Sequence, residues 1–432
     1  MGWPELAQFG RYGLVEHSVA PASIYRNRCY APGVTLMSLS AEPACPESLE
    51  DFTASSAAPV NLIVVRRSID DISPATWDRL ASATPWATPF SAWAFHRAWW
   101  DAYGANAHDE TTVVLDPARG PDGHPIAILP LMHRHEVEAS DAERHTTLRH
   151  VHEHELTPVP PTATAIFFGA SYHADYATIL AAPGDLVAVA AALVTDLRRR
   201  SATPGDWDVV DLRRLRCGDP AVDALAAAFR ASEMDSGWTL NLEREDVCPV
   251  VTLPVGGTLD DHLATLDKKE RHEIRRKVRR AEAAGEVKLE ASADPPVDLE
   301  AFIDLHQARW GDDGLFPPTE GGAQSRVFFH RLFELFESDG PLRLSFLTVA
   351  GRRIAAGVTF ETADRLFYYN AGVDPAARDL SPGVVMVERY LRSAIDRGLS
   401  TMDFLRGDEP YKYEWGAVDE PIQRLLVRGR VS

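Results

Sequence analysis

The sequence is poor in cysteine and contains no long apolar run. Its four cysteines, at positions 29, 45, 217 and 248 of 432 residues, are too few and too scattered for a disulfide framework or a CxxC metal site. No apolar stretch approaches the roughly 18 residues that a membrane-spanning helix needs. The N-terminus also lacks a basic segment followed by an apolar one, the pattern of a secretory signal. These absences predict a cytoplasmic protein without a membrane span.

Basic residues are scarce relative to acidic ones. The chain has 44 Lys and Arg against 63 Asp and Glu, which gives a net charge of −19. Nucleic-acid binding rests on a basic surface that neutralises phosphates, so this balance argues against a DNA-binding protein. It still allows one local basic site for a small phosphorylated ligand. The remaining composition, 45% hydrophobic and 25% charged, is that of a soluble globular protein.

The chain divides into a tail and two similar parts. Residues 1–58 lack periodicity and are rich in Pro, Ser, Ala and Glu, which predicts a disordered N-terminal tail. Residues 59–245 and 246–432 each combine helices with strand hairpins, which predicts two mixed α+β domains. In both parts a helix, a hairpin, a second helix and a strand follow in the same order.

Two faint sequence matches support a duplication. Gly-His-Pro-Ile-Ala at 123–127 matches Gly-Arg-Arg-Ile-Ala at 351–355. Asp-Leu-Arg at 211–213 follows its predicted helix much as Asp-Phe-Leu-Arg at 403–406 follows the corresponding one. An internal duplication is the simplest interpretation, with chance agreement between two α/β domains as the alternative.

The stretch DLSPGVVM, residues 379–386, predicts an anion-binding helix start. A predicted strand leads through a polar loop to a helix that Ser381 caps, with Pro382 and Gly383 in its first turn. Backbone N–H groups at the positive end of a helix suit a pyrophosphate, and Arg378 lies just outside. Simple capping of the helix explains the same residues and stays open as the alternative.

The stretch DFLRGDEPYKYEW, residues 403–415, gathers polar groups after the last strand of this hairpin-and-helix repeat. Strand alternation places Asp403 on one face and Arg406 on the other. A short acidic loop then brings Tyr411 and Lys412 close together. Convergent polar groups on a loop tend to form a functional site. A solvated turn held by aromatic packing is the alternative.

The stretch DKKERHEIRRKVRR, residues 267–280, concentrates basic charge on one predicted helix. The pattern predicts a helix that begins after Thr258 and ends at Gly285. Arg271 and Arg275 lie four residues apart on one row, and arginine suits planar phosphate or carboxylate groups. We expect this row to face a phosphorylated or carboxylated ligand. A solvated charged face is the alternative.

The sequence contains no strong metal, nucleotide or hydrolase motif. Histidines cluster in RHVHEHE at 149–155, but the HEXXH spacing of zinc proteases is absent, and a polar loop is favoured. No Walker motif, GxGxxG fingerprint or GxSxG elbow occurs at a plausible strand–helix junction. We therefore predict no metal site and no ATPase, dehydrogenase or serine hydrolase.

Four motifs in order carry a family resemblance. They are LDKKERHEIRRKVRRAE, GRRIAAG, YYNAGVDPAARDLSPGVVMVERYL and DFLRGDEPYKYEW, and they lie within residues 250–416. In this order they resemble the CelD-like acetyltransferase family of cellulose biosynthesis, within the GNAT superfamily. That family is related to FemAB-type peptidoglycan aminoacyl ligases. The resemblance implies an α+β fold with mixed sheets, built as a tandem pair of GNAT-like domains with a cleft for acyl donor and acceptor.

The resemblance also implies which residues bind the donor and the substrate. The loop through Arg378, Ser381 and Gly383 corresponds to the pyrophosphate-binding loop of GNAT proteins, and Arg406 is assigned to the same ligand. Arg271 and Arg275 match the basic helix of the family. These two arginines, together with Tyr411, are the implied substrate-binding residues.

The implied reaction is acyl transfer from acetyl-CoA or another acyl-CoA. Lys412 matches the Tyr-Lys motif of FemAB-like domains, where a lysine can stabilise the reacting carbonyl or a phosphate. A general base must take the proton of the acceptor, and Asp403, Glu361 and Tyr369 are the candidates. We predict Lys412, Asp403 and Tyr369 as catalytic residues. No protein nucleophile is required, which agrees with the lack of a Ser/Cys–His arrangement.

The predicted acceptor is an amine or hydroxyl of a small molecule or of a cell-envelope or polysaccharide precursor. A FemAB-like aminoacyltransferase that uses aminoacyl-tRNA is the alternative, and tRNA is a partner only in that case. A catalytically silent scaffold of a polysaccharide pathway is a third hypothesis. The sequence predicts neither the acyl chain length nor the oligomeric state.

Overall fold

The computed structural model describes residues 61–120, 124–134, 156–160, 162–170, 173–203 and 205–429. The predicted tail at 1–58 and the histidine-rich segment at 149–155 lie outside these residues. Within them, no helix is long and apolar enough to cross a bilayer.

Runs of strands and helices are mixed along the chain. The strands are β1 (Ile63–Arg66), β2 (Ala107–Asp109), β3 (Thr112–Asp116), β4 (His124–Leu129), β5 (Leu131–Arg134), β6 (Ala165–Phe168), β7 (Leu180–Ala181), β8 (Val209–Arg216), β9 (Thr239–Thr252), β10 (Val287–Ala291), β11 (Leu342–Val349), β12 (Arg352–Glu361), β13 (Arg365–Val373), β14 (Thr401–Asp403) and β15 (Val418–Arg428). The helices are α1 (Pro74–Ser82), α2 (Trp93–Tyr103), α3 (Leu186–Ser201), α4 (Pro220–Ser236), α5 (Leu259–Thr265), α6 (Lys268–Ala284), α7 (Pro295–Trp310), α8 (Glu320–Leu335), α9 (Pro382–Asp396) and α10 (Pro410–Tyr413). The predicted mixed α+β fold is confirmed.

Among the described residues, one sheet of eleven strands runs through both parts of the chain. Its order is β10-β11-β12-β13-β14-β9-β15-β8-β6-β5-β2, and a second sheet has the order β1-β3-β4-β7. Near the middle, β9 pairs with β14 on one side and with β15 on the other, and β15 pairs in turn with β8. The predicted boundary between residues 245 and 246 falls inside β9. The division into two domains stays a prediction, and we call the two parts the first half and the second half.

Each half contains one pair of parallel strands with the same register. In the first half β6 pairs with β8, and Phe167 lies opposite Asp211. In the second half β13 pairs with β14, and Phe367 lies opposite Asp403. Each second strand is reached through a helix, α3 or α9. Because the two aspartates occupy equivalent places, the register supports the internal duplication that the sequence suggested.

The basic segment differs from its prediction. Thr258 and Asp261 form the predicted capping box, in which the Thr258 N–H donates to Asp261 at 2.8 Å. The single predicted helix, however, is wrong, because α5 ends at Thr265 and α6 begins at Lys268. Leu266 between them has an extended backbone and a buried side chain, which breaks the helix.

Aromatic side chains from both halves form one buried cluster. The Phe90 and Phe360 ring centroids lie 5.5 Å apart, and those of Phe95 and Phe328 lie 5.4 Å apart, both in edge-on geometry. All four rings are almost fully buried. Such pairs contribute about 0.5–1.5 kcal/mol each beyond the area they bury. The two halves are therefore joined by packing as well as by the sheet.

A buried ion pair fixes β15 against the first half. Arg424 on β15 donates two hydrogen bonds to the Asp211 carboxylate on β8, at 2.6 and 2.8 Å. Each side chain is 1% exposed. Arg424 also donates to Glu243 at 3.1 Å, so the last strand is connected to both of its neighbours by charge.

We expect Arg424→Met to lower the free energy of unfolding by about 3–5 kcal/mol, because it removes the buried arginine that donates two hydrogen bonds to Asp211 and leaves that carboxylate with Arg213 alone. Urea unfolding at pH 7 measures the change. The control is Arg66→Met, which breaks a 3.1 Å pair with Glu110 in which Arg66 is 51% exposed. That change should cost less than about 1 kcal/mol. Equal losses in both variants would contradict the prediction.

Candidate active site

The candidate site lies where the parallel strands of the second half diverge. β13 and β14 pair only between residues 365–367 and 401–403. β13 then continues to Val373, whereas the chain after Asp403 leaves the sheet as a loop. The divergence opens the sheet between the end of β13 and the loop at 404–407. The start of α9 follows the end of β13. The predicted residues at the start of α9 and those in the loop after β14 therefore lie at the same divergence.

β13 carries a bulge at this point. Its register with β12 shifts by one residue, because Tyr368 lies opposite Thr359 and Asn370 lies opposite Val358. Tyr369 is therefore the extra residue of the strand. Bulges re-aim side chains and are common beside active sites. The bulge thus places the predicted catalytic residue Tyr369 at the divergence.

The Tyr369 side chain faces the first half. Its hydroxyl donates to the His173 backbone carbonyl at 3.1 Å. Its ring packs against Phe360 and Phe329, at centroid distances of 5.3 and 6.0 Å. The side chain is only partly buried, so this tyrosine connects the inner aromatic cluster with the opening between the strands.

Asp403 is completely buried at the end of β14. Its carboxylate accepts hydrogen bonds from the Leu405 N–H at 2.8 Å, the Tyr176 hydroxyl at 2.9 Å and the Arg365 guanidinium at 3.1 Å. Burial raises the pKa of Asp403 to about 6, although Arg365 and the two hydrogen bonds act in the opposite direction. A carboxyl with such a pKa can exchange a proton near neutral pH. Because the residue has no exposed surface, direct contact with an acceptor stays a prediction.

The equivalent aspartate of the first half titrates differently. Burial favours the neutral form of Asp211, but the Arg213 and Arg424 guanidiniums outweigh it and lower the pKa of Asp211 below its usual value. Arg365, the arginine beside Asp403, also contacts Glu420 at 3.4 Å and so is shared between two carboxylates. The duplicated positions therefore hold one stably ionised carboxylate and one that titrates near pH 6.

Lys412 holds the loop that follows β14. Its ammonium donates to the carbonyls of Leu405, Arg406 and Gly407 at 3.0, 2.9 and 2.9 Å. It also lies 2.9 Å from Glu409. An ammonium group has three N–H donors, and three carbonyls receive them here. Leu405 and Gly407 have backbone φ angles of 59° and 111°, so Lys412 stabilises an unusual loop conformation, and its catalytic role stays a prediction.

Two other predicted residues lie on or beside the same loop. The Arg406 guanidinium contacts Asp175 of the first half at 3.3 Å and is 7% exposed. Tyr411 packs edge-on against Phe404 at 5.9 Å and is 38% exposed. Glu361, the third candidate base, pairs with Arg397 at the C-terminal end of α9. Of these three predicted residues, Tyr411 has the most accessible side chain.

The connection between β13 and α9, together with the first residues of α9, contains the predicted donor-binding residues Arg378, Ser381 and Gly383, and we call residues 375–383 the cradle. It contains a short 3-10 helix, Pro375–Leu380, followed by Ser381 with a left-handed backbone (φ 51°, ψ 54°). Ser381 occupies the predicted N-cap position, but its hydroxyl accepts from the Arg280 guanidinium at 2.7 Å instead of capping the helix. A Cβ atom added at Gly383 would meet nothing within 4 Å. The first N–H groups of a helix have no intrahelical acceptor, and they lie at its positive end.

The basic helix α6 reaches this cradle through a residue that the sequence did not single out. Arg280 contacts Ser381, whereas Arg275 pairs with Asp260 at 2.7 Å and Arg271 donates to the Ala264 carbonyl at 3.2 Å. The predicted row therefore faces α5. α6 also contacts both α9 and the 3-10 helix that holds Arg378. The sequence does show an apolar stripe along α6, formed by Ile274, Val278 and Ala281. This stripe predicts which side of the helix is buried, but it does not predict which end of the helix lies at the cradle.

No group of three or more His, Cys, Asp or Glu side chains is placed to hold a metal ion in the part of the chain that the structure describes. The histidine-rich segment at 149–155 lies outside that part.

Comparison with known proteins finds a family match within the second half. Residues 268–413 match the family described as "Acetyltransferase (GNAT) domain". The match spans α6, the diverging strands, the cradle and Lys412. This stretch of the chain is therefore similar to GNAT acetyltransferase domains. Membership of the CelD-like family within GNAT stays a prediction, and no curated protein matches the sequence.

Solved structures extend the likeness to most of the chain. FemX matches with a TM-score of 0.51 and 12% identity over 84% of this chain and 96% of its own. A conserved protein of unknown function from Bacteroides thetaiotaomicron matches with a TM-score of 0.48 and 12% identity, over 85% and 100%. A tandem GNAT protein from the clavulanic acid biosynthesis pathway has a TM-score of 0.42 and 11% identity, over 85% and 98%. At these identities the likeness to FemX shows the fold alone, and the predicted GNAT-like fold is confirmed.

Asp403→Asn should change how stability depends on pH. The pKa of Asp403 is about 6 in the folded protein against an ordinary 3.8, so the folded state holds the proton more tightly. The stabilisation is complete below about pH 4 and is lost as the pH rises through 6. Wild type should therefore lose about 3 kcal/mol relative to the variant between pH 4 and pH 7, by urea unfolding. Asp211→Asn is the control: because its arginines lower the pKa of Asp211, wild type should lose stability relative to this variant only as the pH falls below about 4 and should change little between pH 4 and pH 7.

Lys412→Met should destabilise the loop after β14, because three carbonyls lose their donor. We expect a loss of about 2–3 kcal/mol in the free energy of unfolding and faster amide hydrogen exchange at residues 405–407. Lys269→Met, at a position whose side chain is 87% exposed, is the control and should change neither. A Lys412→Met protein with unchanged stability and exchange but lost activity would favour the catalytic role instead.

Proposed function

We propose that this protein is an acyltransferase that moves an acetyl or other acyl group from acyl-CoA to an amine or hydroxyl of a small molecule or cell-envelope precursor. The observation that carries the proposal is the position of the cradle between β13 and α9, beside the divergence of β13 and β14, within the matched GNAT domain. A donor held at the cradle would direct its reactive end into the opening between the strands.

The residues of the cradle fit the diphosphate of an acyl-CoA. Arg280, which contacts Ser381, and Arg378 in the preceding 3-10 helix supply positive charge, and Ser381 supplies a hydroxyl that Arg280 already orients. Gly383 allows phosphate oxygens to approach the backbone at the positive end of α9. Arginine forms planar, charge-assisted hydrogen bonds with phosphate, which favours this ligand over a neutral one.

In the proposed reaction the acceptor attacks the thioester carbonyl, the C–S bond breaks, and the coenzyme A thiolate leaves and takes up a proton while the acceptor loses one. Acyl-CoA would supply the activated acyl group. The chain would supply orientation through the opening at Tyr369 and a titrating carboxyl at Asp403. We propose that Asp403 either takes this proton itself or changes the pKa of a neighbouring group that takes it.

The contrast between the halves favours the second half as the reacting one. At the place that Tyr369 occupies after the parallel pairing, the first half has Gly169. Its aspartate, Asp211, is held ionised by two arginines and lies against β15. A stably ionised, ion-paired carboxylate is suited to structural support, whereas Asp403 retains a pKa in the working range.

Arg280→Ala should weaken acetyl-CoA binding by about three- to tenfold, as expected for one solvent-accessible phosphate contact. Isothermal titration with acetyl-CoA at low and moderate salt measures the dissociation constant. Lys268→Ala is the control, because Lys268 lies at the opposite end of the same helix and is exposed. Equal effects of both changes on the dissociation constant would show that the cradle does not bind the donor. If wild type binds no acyl-CoA and transfers no acyl group to a panel of amines and alcohols, the proposed function is wrong.

The exposed face of α6 supports aminoacyl-tRNA as the alternative donor. Lys268, His272 and Arg279 are exposed along this helix and extend its basic surface beyond the cradle. Such a surface would suit a longer phosphate backbone. Release of labelled amino acid from charged tRNA, falling steeply as salt increases, would favour this donor over acyl-CoA.

A further inference from the structure

We propose that residues 173–176 of the first half form a positioning segment for the reacting site of the second half. The inference rests on the proposed function. Within these four residues, three side chains or carbonyls contact three predicted site residues of the other half. We call residues 173–176 the positioning segment.

Each contact joins residues that are far apart in sequence. The His173 carbonyl accepts from the Tyr369 hydroxyl at 3.1 Å. The Tyr176 hydroxyl donates to the Asp403 carboxylate at 2.9 Å, across 227 residues of sequence. Asp175 accepts from Arg406 at 3.3 Å. One short segment therefore holds the bulged strand, the end of β14 and the loop after it.

The origin of the segment explains how it reaches the second half. In the first half β6 and β8 also pair over only three positions and then diverge. The chain returns to β8 at a bridge between Ala177 and Leu215. The positioning segment lies immediately before that bridge, so it occupies the first half's own divergence. The place where the second half is open is thus filled in the first half, and its filling contacts the second.

The His173 ring is fixed on several sides. It stacks on Phe328 with centroids 4.1 Å apart and planes 14° from parallel. Its Nε2 atom lies 2.7 Å from the Tyr103 hydroxyl, which lies 3.0 Å from the Ser325 hydroxyl. Its Nδ1 atom lies 3.5 Å from the Tyr369 hydroxyl. Contacts on its face and at both nitrogens hold the ring in one orientation.

These contacts define a direction for the hydrogen bonds. Burial lowers the pKa of His173 to about 3, so the ring is neutral near pH 7 and has one N–H. Because the Tyr369 proton goes to the His173 carbonyl, the ring can meet Tyr369 only with an Nδ1–H group. Nε2 then accepts from Tyr103, and Ser325 donates to Tyr103. The segment and its neighbours thus direct an N–H group at the Tyr369 oxygen.

Tyr176 has the corresponding effect on Asp403. Asp403 is faced by Arg365, Glu420, Tyr176 and the buried thiol of Cys248. The Tyr176 hydroxyl donates to its carboxylate and therefore favours the ionised form. Removing this one hydroxyl should make Asp403 harder to ionise without changing the backbone around it.

The test is Tyr176→Phe in the full-length chain. The Asp403 carboxyl, followed by NMR with carbon-13-labelled aspartate, should titrate at least about half a pH unit higher than in wild type. The matched control is Tyr390→Phe. Tyr390 is also almost fully buried but belongs to the second half, and its hydroxyl contacts the Gly357 carbonyl. That change should leave the titration within error of wild type. No shift, or the same shift in both variants, would overturn the proposal for Tyr176.

A second variant pair tests His173. Gln at 173 retains an acceptor near Tyr103 but loses the Nδ1–H group, whereas Asn retains a donor near Tyr369. With acetyl-CoA and an accepted amine, His173→Gln should lower kcat about three- to tenfold with little change in KM, and His173→Asn should lower it less. In a Tyr369→Phe background the Gln change should have no further effect on kcat. The same loss in both backgrounds would show a merely structural role and overturn the proposal for His173.

The two experiments separate this inference from the proposed function. If wild type transfers no acyl group, the function is wrong, and the Asp403 titration still decides whether the segment sets the state of the second half's buried carboxyl. If wild type is active and Tyr176→Phe leaves both the titration and the pH profile of kcat unchanged, the function stands and the positioning segment does not.

Discussion

The pairing of β15 with β9 and β8 is the interaction on which the rest of the structure depends. β15 is the last strand of the chain, yet it lies between β9, which leads into the second half, and β8 of the first half. Hydrogen bonds along both of its edges make one continuous sheet from two similar halves. The Arg424–Asp211 ion pair fixes the same strand by charge. Because the two parallel strand pairs flank this central region, a shift of β15 would change the distance between the two divergences.

That constraint explains why two copies of one arrangement differ in chemistry. Asp211 and Asp403 have the same register in their strand pairs, and both are buried. Asp211 receives two guanidiniums and lies against β15, so its negative charge is compensated where the halves join. Asp403 shares Arg365 with Glu420 and receives a neutral hydroxyl from Tyr176. Burial then dominates, and the pKa of Asp403 rises to about 6. The difference arises because Asp211 receives two arginines, whereas Asp403 receives one arginine that it shares with Glu420.

Local sequence patterns were sufficient for most elements and for the order of the site motifs. Helices and strand hairpins were expected in both halves, and Thr258 was correctly placed before a helix. Patterns of this kind depend on residues a few positions apart. They could not show that helix α6 starts only at Lys268, because the break depends on where Leu266 finds a buried place.

Contacts between distant residues were beyond reach for the same reason. The helical row of Arg271 and Arg275 was visible in the sequence, but only the packing of α6 shows that Arg280 reaches Ser381, 101 residues away. Lys412 was recognised as part of a motif, whereas its three carbonyl acceptors depend on the left-handed backbone at Leu405. The bulge at Tyr369 is a property of two strands together. Sequence located the site segments, and tertiary packing decides which atoms meet.

The internal duplication that we infer also bears on why the proposed site in the second half receives contacts from the first half. A divergence between parallel strands leaves backbone and side chains without a neighbour on one side, which is useful for admitting a ligand but provides little rigidity. In the first half the same space is occupied by residues 173–176, and these contact Tyr369, Arg406 and Asp403. The first half can therefore supply contacts that the diverging strands of the second half do not make among themselves. Since each contact couples one loop to one functional group, substitutions in the first half would alter the second half's chemistry without touching its ligands.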